Sequence, residues 1–86
     1  MSDMRRKRAR LRAWRRGLRE MDLILGRFAD AQVESLSEAD LDRFEALLEV
    51  ADHDLYQWII GTTQAPAEFD HALLANLRAS APASNG

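Results

Sequence analysis

The sequence of 86 residues contains no cysteine, which excludes disulfides, thiolate metal sites and cysteine nucleophiles. It has only two histidines, His53 and His71, and they lack the spacing of a helical zinc motif. Its four glycines form no phosphate-binding loop. No apolar run approaches the roughly 18 residues of a membrane span, and no signal-peptide core is present. We therefore expect a binding protein rather than an enzyme, with no metal site and no insertion into a membrane.

What the chain has in excess is arginine near its beginning. Residues 1–19 carry nine of the twelve basic residues and one acid, a net charge of +8, whereas residues 20–86 carry three basic and thirteen acidic residues, a net charge of −10. Such asymmetry is typical of a basic interaction element on an acidic body. The basic stretch could bind nucleic acid, a lipid surface or a protein partner. On charge alone, we favour a solvated face that pairs with the acidic part of the chain.

Helical periodicity and helix-end signals predict five helices and no strands. The predicted helices cover about residues 4–16, 18–33, a segment that opens at Ser37, 54–60 and 66–79. Gly17 and Gly61 suit helix ends, and Ser37 and Asp52 suit N-caps. The predicted fold is all-α, a small five-helix bundle of one domain over residues 4–79. Residues 1–3 are expected to be a frayed terminus, and residues 80–86 a disordered tail.

Apolar side chains at helical spacing predict the core. Leu11, Trp14 and Leu18 follow helical spacing and form one apolar stripe, and Gly26 in the second helix permits close packing or a bend. The other core candidates are Met21, Ile24, Leu25, Phe28, Leu41, Phe44, Leu47, Leu48, Leu55, Trp58, Ile59, Phe69, Leu73, Leu74 and Leu77. The acids Asp40, Asp42, Glu45 and Glu49 are expected to form a solvated face. Both histidines are expected at the surface or in helix caps.

A five-residue motif, Arg16-Gly17-Leu18-Arg19-Glu20, lies at the junction of the first two predicted helices. A glycine at such a corner lets another surface approach the backbone closely. The opposite charges of Arg16 and Glu20 suit specific docking more than raw affinity. A plain helical corner, with a C-cap glycine and charges matched to the helix dipoles, explains the same residues.

The motif resembles the RGxxE motif of the succinate dehydrogenase assembly factor 2 family, whose bacterial members are the flavinylation factors called SdhE. The resemblance extends over residues 14–23, 25–28, 36–49 and 52–58, in the family's order, and covers about residues 8–79. One departure is His53, which stands where family members often have proline. We expect this departure to change the stiffness of the loop rather than the function.

The resemblance implies a five-helix protein that is not an enzyme. Family members assist the covalent attachment of FAD to a histidine of the succinate dehydrogenase flavoprotein subunit, and some also act on the fumarate reductase flavoprotein. Carried over by position, Arg16, Gly17 and Glu20 are the expected flavoprotein-docking residues. Their neighbours Arg15, Arg19 and Asp22 are added as further candidates.

The resemblance and the composition together set the remaining expectations. We expect no stable binding of FAD by this chain, because it has no flavin-binding fingerprint. We expect a monomer when free, no nucleic acid partner, and a place in the bacterial cytoplasm, because the motif begins close to the start of the sequence. The alternative is a small nucleic-acid-binding protein or antitoxin-like adaptor that uses its basic helix.

Overall fold

The computed structural model describes residues 2–80, and within that range the chain forms five α-helices and no β-strand. The helices are α1 (Ser2–Trp14), α2 (Arg19–Gln32), α3 (Glu38–Leu48), α4 (Asp52–Ile60) and α5 (Ala72–Ser80). Two 3₁₀ turns, Val33–Ser35 and Ala67–Phe69, precede α3 and α5. The all-α, five-helix fold predicted from the sequence is confirmed. None of the helices within this range is long and apolar enough to cross a membrane.

The outer ends of the first and last helices differ from the prediction. Because α1 begins at Ser2, Ser2 and Asp3 belong to the helix instead of a frayed terminus, and Asp3 lies in the first turn, where acids suit the helix dipole. Ser80 is the last residue of α5, and its hydroxyl donates to the carbonyl of Asn76 at 3.0 Å. The rest of the predicted tail, residues 81–86, lies outside the described residues.

The core lies where α2 meets the other helices. Met21, Leu25 and Phe28 of α2 are fully buried, and the Phe28 ring lies 5.6 Å from that of Phe44 in α3. The predicted buried face of α3 is confirmed, because all four of its members are buried: Leu41, Phe44, Leu47 and Leu48. Each such side chain contributes about 1.5–3 kcal/mol when buried. This core fixes the helices that carry the corner.

The predicted apolar stripe of α1 is wrong, because its residues face outward. Leu11 is 47% exposed and Leu18 is 52% exposed, whereas Ala9 and Ala13 are buried against the core. These small side chains let α1 approach α2 closely, so the helix is held by alanines rather than by its large apolar residues. Arg6 is also buried, and its guanidinium donates to the carbonyl of Val33.

Trp14 was also expected in the core, but its indole lies at the surface of the protein, where it covers a glycine of α2. It is 36% exposed, and its indole lies against Gly26, where an added Cβ atom would stand 2.2 Å from Cδ2 of the ring. The indole Nε1–H donates to Asp30 at 3.2 Å. Gly26 therefore serves the close packing that the sequence suggested, inside an uninterrupted α2.

The predicted helix ends are confirmed at two positions and wrong at a third. The Ser37 hydroxyl accepts from the backbone N–H of Asp40 at 3.0 Å, as an N-cap does, and Gly61 ends α4 with a φ of +87°. Asp52 does not cap α4, because Ala51 occupies that position and has no capping side chain. Asp52 is the first helical residue, and its carboxylate is bound by an arginine described below.

The last predicted helix is divided into a 3₁₀ turn and α5. The chain leaves helical geometry at Asp70, and His71 caps the new helix, because its Nδ1 accepts from the backbone N–H of Leu74 at 3.3 Å. Phe69, predicted in the core, is half-buried with its ring 5.3 Å from that of Trp58. His53 lies at the surface beside Gln57, so both histidines have the surface or capping places expected of them.

Candidate functional site

The motif forms the corner between α1 and α2, and its glycine makes the turn possible. Gly17 has a φ of +96°, a conformation that side chains with a Cβ atom rarely adopt. No atom lies within 4 Å of where its Cβ would be, so the glycine is required by the backbone conformation rather than by crowding. The open space leaves this stretch of backbone accessible to another surface.

Asp22 fastens the corner to the start of α2. Its Oδ1 accepts from the backbone N–H of Arg16 at 2.7 Å and from that of Gly17 at 3.3 Å. Leu18, the residue at the N-cap position, offers no capping side chain. The carboxylate four residues further on therefore satisfies two backbone donors that the turn would otherwise leave without a protein partner.

Replacing Asp22 with alanine should destabilise the protein by about 1 kcal/mol, because the two donors are left to water. The matched control is Asp54→Ala, which also removes an acid from the first turn of a helix. Among residues 2–80, the Asp54 carboxylate accepts no hydrogen bond from a neighbouring turn, so its replacement removes only a smaller favourable interaction with the helix dipole. Urea unfolding followed by circular dichroism measures both variants. Equal effects of the two substitutions would contradict the role given to Asp22.

The Arg16 side chain points inward and joins the corner to the α3–α4 junction. Its Nε donates to Oδ1 of Asp52 at 2.6 Å, and its two terminal nitrogens donate to the carbonyls of Leu48 and Val50. The Arg16 side chain is 9% exposed and that of Asp52 21%. One guanidinium thus satisfies a carboxylate and two backbone carbonyls where α3 ends and α4 begins.

The other motif residues face outward. The exposed residues of the motif and its surroundings are Arg15, Gly17, Arg19 and Glu20. Within the described residues, the side chains of Arg15, Arg19 and Glu20 have no hydrogen-bond or ion-pair partner. We call this exposed set the docking corner. The structure thus separates the six predicted residues into four that are presented to solvent and two, Arg16 and Asp22, whose polar groups hold the turn.

A shallow groove of about 390 Å³ runs along the docking corner. It is lined by Leu18, Arg19, Glu20, Met21, Asp52, His53 and Tyr56. The sequence did not place Leu18, His53 and Tyr56 at the site. Leu18 was assigned to the core by periodicity, and the position just after a positive-φ glycine was the one signal against that assignment. His53 and Tyr56 lie on α4 and reach the groove only through the tertiary fold.

The basic α1 is paired extensively within the chain. Arg5 lies beside Glu38, Asp42 and Glu45, and Arg12 lies beside Glu49, so the predicted solvated face of α3 is in fact partly covered by arginines. Hydrogen bonds from Arg5 to Glu45 and Asp42 raise the pKa of its guanidinium above its ordinary value. The internal pairing that we favoured on charge alone is confirmed.

Comparison with known families gives one family match. A family model described as "Flavinator of succinate dehydrogenase" matches residues 7–81. No solved structure matches the chain significantly.

Curated relatives match at 34–44% identity. The mitochondrial succinate dehydrogenase assembly factor 2 of Dictyostelium discoideum is 35% identical over 80% of this chain and 49% of that protein. The assembly factor of the same name from Meyerozyma guilliermondii is 44% identical over 60% of this chain and 40% of its own length. The FAD assembly factor SdhE of Haemophilus ducreyi is 36% identical over 77% of this chain and 80% of its own length. The chain thus spans about half the length or less of these two mitochondrial relatives and most of the bacterial one.

Proposed function

We propose, because the chain belongs to the family of succinate dehydrogenase flavinators, that it is an assembly factor for the succinate dehydrogenase flavoprotein subunit. It binds that subunit and promotes the covalent attachment of FAD to it. Two relatives have the name FAD assembly factor SdhE, which supports a role in the attachment of FAD. The family match over residues 7–81 includes the docking corner, most of α1 and the whole of the other four helices.

The proposal rests on one observation, that some residues of the motif are exposed at the turn whereas others stabilise it. Gly17, with its positive φ, exposes backbone at the turn, and Arg19 and Glu20 stand beside it with opposite charges. A glycine permits close approach of a partner's surface, and a pair of opposite charges fixes the partner's orientation. Arg16 and Asp22 stabilise that geometry through their hydrogen bonds within the chain. They act in docking by preserving the shape of the corner.

We propose that the protein acts by positioning and supplies no reacting group. Attachment requires the flavin and the acceptor side chain of the client to meet in a fixed geometry, and orientation of this kind contributes up to about 7–11 kcal/mol in ideal intramolecular reactions. An assembly factor that binds the reactive arrangement of its client more tightly than the others raises the population of that arrangement. The client and its FAD then carry out the chemistry, so this chain needs no stable FAD site.

The setting of this activity is proposed with the function. We place the protein in the bacterial cytoplasm as a monomer that meets its client before the client joins its membrane partners. The similarity to the FAD assembly factor SdhE of Haemophilus ducreyi supports a bacterial setting. The fumarate reductase flavoprotein is a second proposed client. Nucleic acid is not, because five of the nine basic residues near the start lie within 4 Å of a carboxylate: Arg5, Arg6, Arg10, Arg12 and Arg16.

The test is to express the succinate dehydrogenase flavoprotein of the same organism with and without this protein. Flavin fluorescence of the denatured flavoprotein in a gel reports covalently attached FAD. Two further samples contain Glu20→Lys and the matched control Glu34→Lys, which reverses an exposed acid in the 3₁₀ turn that follows α2. We expect the signal to rise with the intact protein and with the control, and to fall by about ten-fold or more with Glu20→Lys, since charge repulsion now opposes docking.

Two results would overturn the proposal. If the signal were the same with and without the intact protein, the succinate dehydrogenase flavoprotein would not be its client. If Glu20→Lys and Glu34→Lys were equally active, the client would dock elsewhere than at the corner.

A further inference from the structure

A second groove, separate from the one along the docking corner, lies between α1 and the α3–α4 junction. It has a volume of about 480 Å³ and is lined by Arg8, Leu11, Arg12, Arg15, Arg16, Leu48, Ala51 and Asp52. We call it the arginine groove. Its volume lies in the range of about 300–1,000 Å³ that is typical of ligand sites in proteins. It is lined by one residue of the docking corner, Arg15, and it shares Asp52 with the groove along that corner.

The charge of the arginine groove is strongly positive and only partly compensated. Four guanidinium groups and one carboxylate line it. Arg12 and Arg16 are bound to Glu49 and Asp52, but Arg8 and Arg15 have no carboxylate within 4 Å among residues 2–80. The groove therefore presents two unpaired cations, one on α1 and one just after its end, and their complement is an anion on another molecule.

Three of the groove residues follow one another along the first part of the chain. Arg8 and Leu11 lie three positions apart on α1, and Arg15 is the residue that follows the end of this helix at Trp14. The 47% exposed Leu11 thus lies between two arginines that are seven positions apart, and all three line one groove. A partner helix that lay along α1 would match this spacing if it carried two carboxylates two turns apart, with apolar side chains between them.

The shape of the arginine groove favours an acidic protein segment over a lipid surface or a nucleic acid. Opposite α1 it is lined by Leu48 and Ala51 of the α3–α4 junction, which we call its floor. A flat lipid surface would contact only the rim, and two unpaired arginines are few for a run of phosphates. An amphipathic helix places its apolar side chains into the groove and its carboxylates against the rim, as in other helix-in-groove complexes.

We propose that the arginine groove binds an acidic amphipathic helix of a protein partner. Carboxylates on that helix pair with Arg8 and Arg15, and its apolar side chains contact Leu11 and the floor of the groove. The proposal is independent of the identity of the client. It adds a second contact surface, which borders the docking corner at Arg15.

The probe for this proposal is a fluorescein-labelled helical peptide of about 18 residues with glutamates two turns apart and leucines between them. Its control is a peptide of the same composition in scrambled order. We expect the intact protein to bind the probe more tightly than the scrambled peptide, with an affinity that falls as salt is raised because the charges are at the surface. Fluorescence anisotropy measures binding, and the full chain is used throughout.

Two pairs of variants locate the binding. Arg8→Glu should weaken binding of the probe by about five-fold or more, because an attraction becomes a repulsion, whereas Arg27→Glu makes the same charge change on an exposed arginine of α2 and should leave binding unchanged. Leu11→Asn should also weaken binding, whereas Met4→Asn, at a residue of α1 that is 64% exposed outside the groove, should not. Circular dichroism verifies that all four variants are folded.

Three results would overturn the proposal. The first is equal binding of the ordered and scrambled peptides. The second is equal weakening by Arg8→Glu and Arg27→Glu, which would show attraction by net charge alone. The third is binding of anionic phosphatidylglycerol vesicles or of an oligonucleotide, lost in Arg8→Glu, without binding of the peptide. That outcome would assign the groove to lipid or nucleic acid.

Discussion

Replacing Arg16 with alanine should lower the free energy of unfolding by about 3 kcal/mol, the largest effect expected of any single substitution in the motif. The guanidinium binds Asp52 and the carbonyls of Leu48 and Val50 in a nearly buried position. Removing it leaves a carboxylate and two carbonyls without their donor. Breaking a fully buried ion pair in this way typically lowers the free energy of unfolding by about 3–5 kcal/mol. The expected loss is at the lower end here, because Asp52 is partly solvated. For a domain of this size, the melting midpoint should fall by about 10–25 °C.

The neighbouring arginine provides the matched control for Arg16. Arg15→Ala removes the same side chain from an exposed position and should change stability by no more than about 0.5 kcal/mol. Arg16→Lys should restore little of the loss, because one ammonium group cannot reach three separate acceptors in the planar geometry of a guanidinium. Thermal unfolding followed by circular dichroism compares the three variants. A stability of Arg16→Ala close to that of Arg15→Ala would contradict the structural role of Arg16.

Substituting alanine for Gly26 should destabilise the protein by up to about 2 kcal/mol, although alanine is the better helix former. The new Cβ would stand 2.2 Å from Cδ2 of the Trp14 ring, so the ring must leave the surface of α2 and give up its hydrogen bond to Asp30. Displacing a packed side chain costs about 1–3 kcal/mol, and the gain in helix propensity returns about 1 kcal/mol of this.

The sign of the Gly26 effect should reverse when the indole is absent. In a Trp14→Ala background the same Gly26→Ala substitution meets no ring, so only the helix propensity remains and the protein should gain about 1 kcal/mol. The four proteins of this cycle, compared by urea unfolding, should show a coupling of about 2 kcal/mol between the two positions. A Gly26→Ala substitution that stabilised the intact protein and the Trp14→Ala variant alike would show that the two residues do not pack together.

Much of the fold was predictable because its signals are local. The buried face of α3 follows from helical periodicity in a segment where each large apolar residue is buried, and the Ser37 cap follows from its acidic neighbours. The position of the α1–α2 corner followed from Gly17, whose positive φ is a property of the turn itself. The family resemblance identified the same corner as the candidate site, and the family match confirmed the resemblance.

What the sequence could not predict depends on packing between helices. Periodicity placed Leu11 and Trp14 in the core, but α1 packs through Ala9 and Ala13, and an alanine pair gives a weaker pattern than two large apolar residues. The inward turn of Arg16 was equally hidden, because its acceptors lie more than 30 positions away along the chain. A motif resemblance identifies which residues matter, and only the tertiary structure separates those that hold the corner from those it presents.

The measurement that tests the central claim most directly compares docking with FAD attachment in the same variants. Binding of the intact protein, Glu20→Gln and Glu20→Lys to the purified apo-flavoprotein is titrated by calorimetry, and covalent FAD is measured in the same mixtures. If the protein acts by docking, attachment follows the fraction of client bound, and a saturating concentration of Glu20→Gln restores it. If Glu20→Gln bound as tightly as the intact protein and left the client without covalent FAD, Glu20 would take part in the chemistry, and the account of a positioning factor would be wrong.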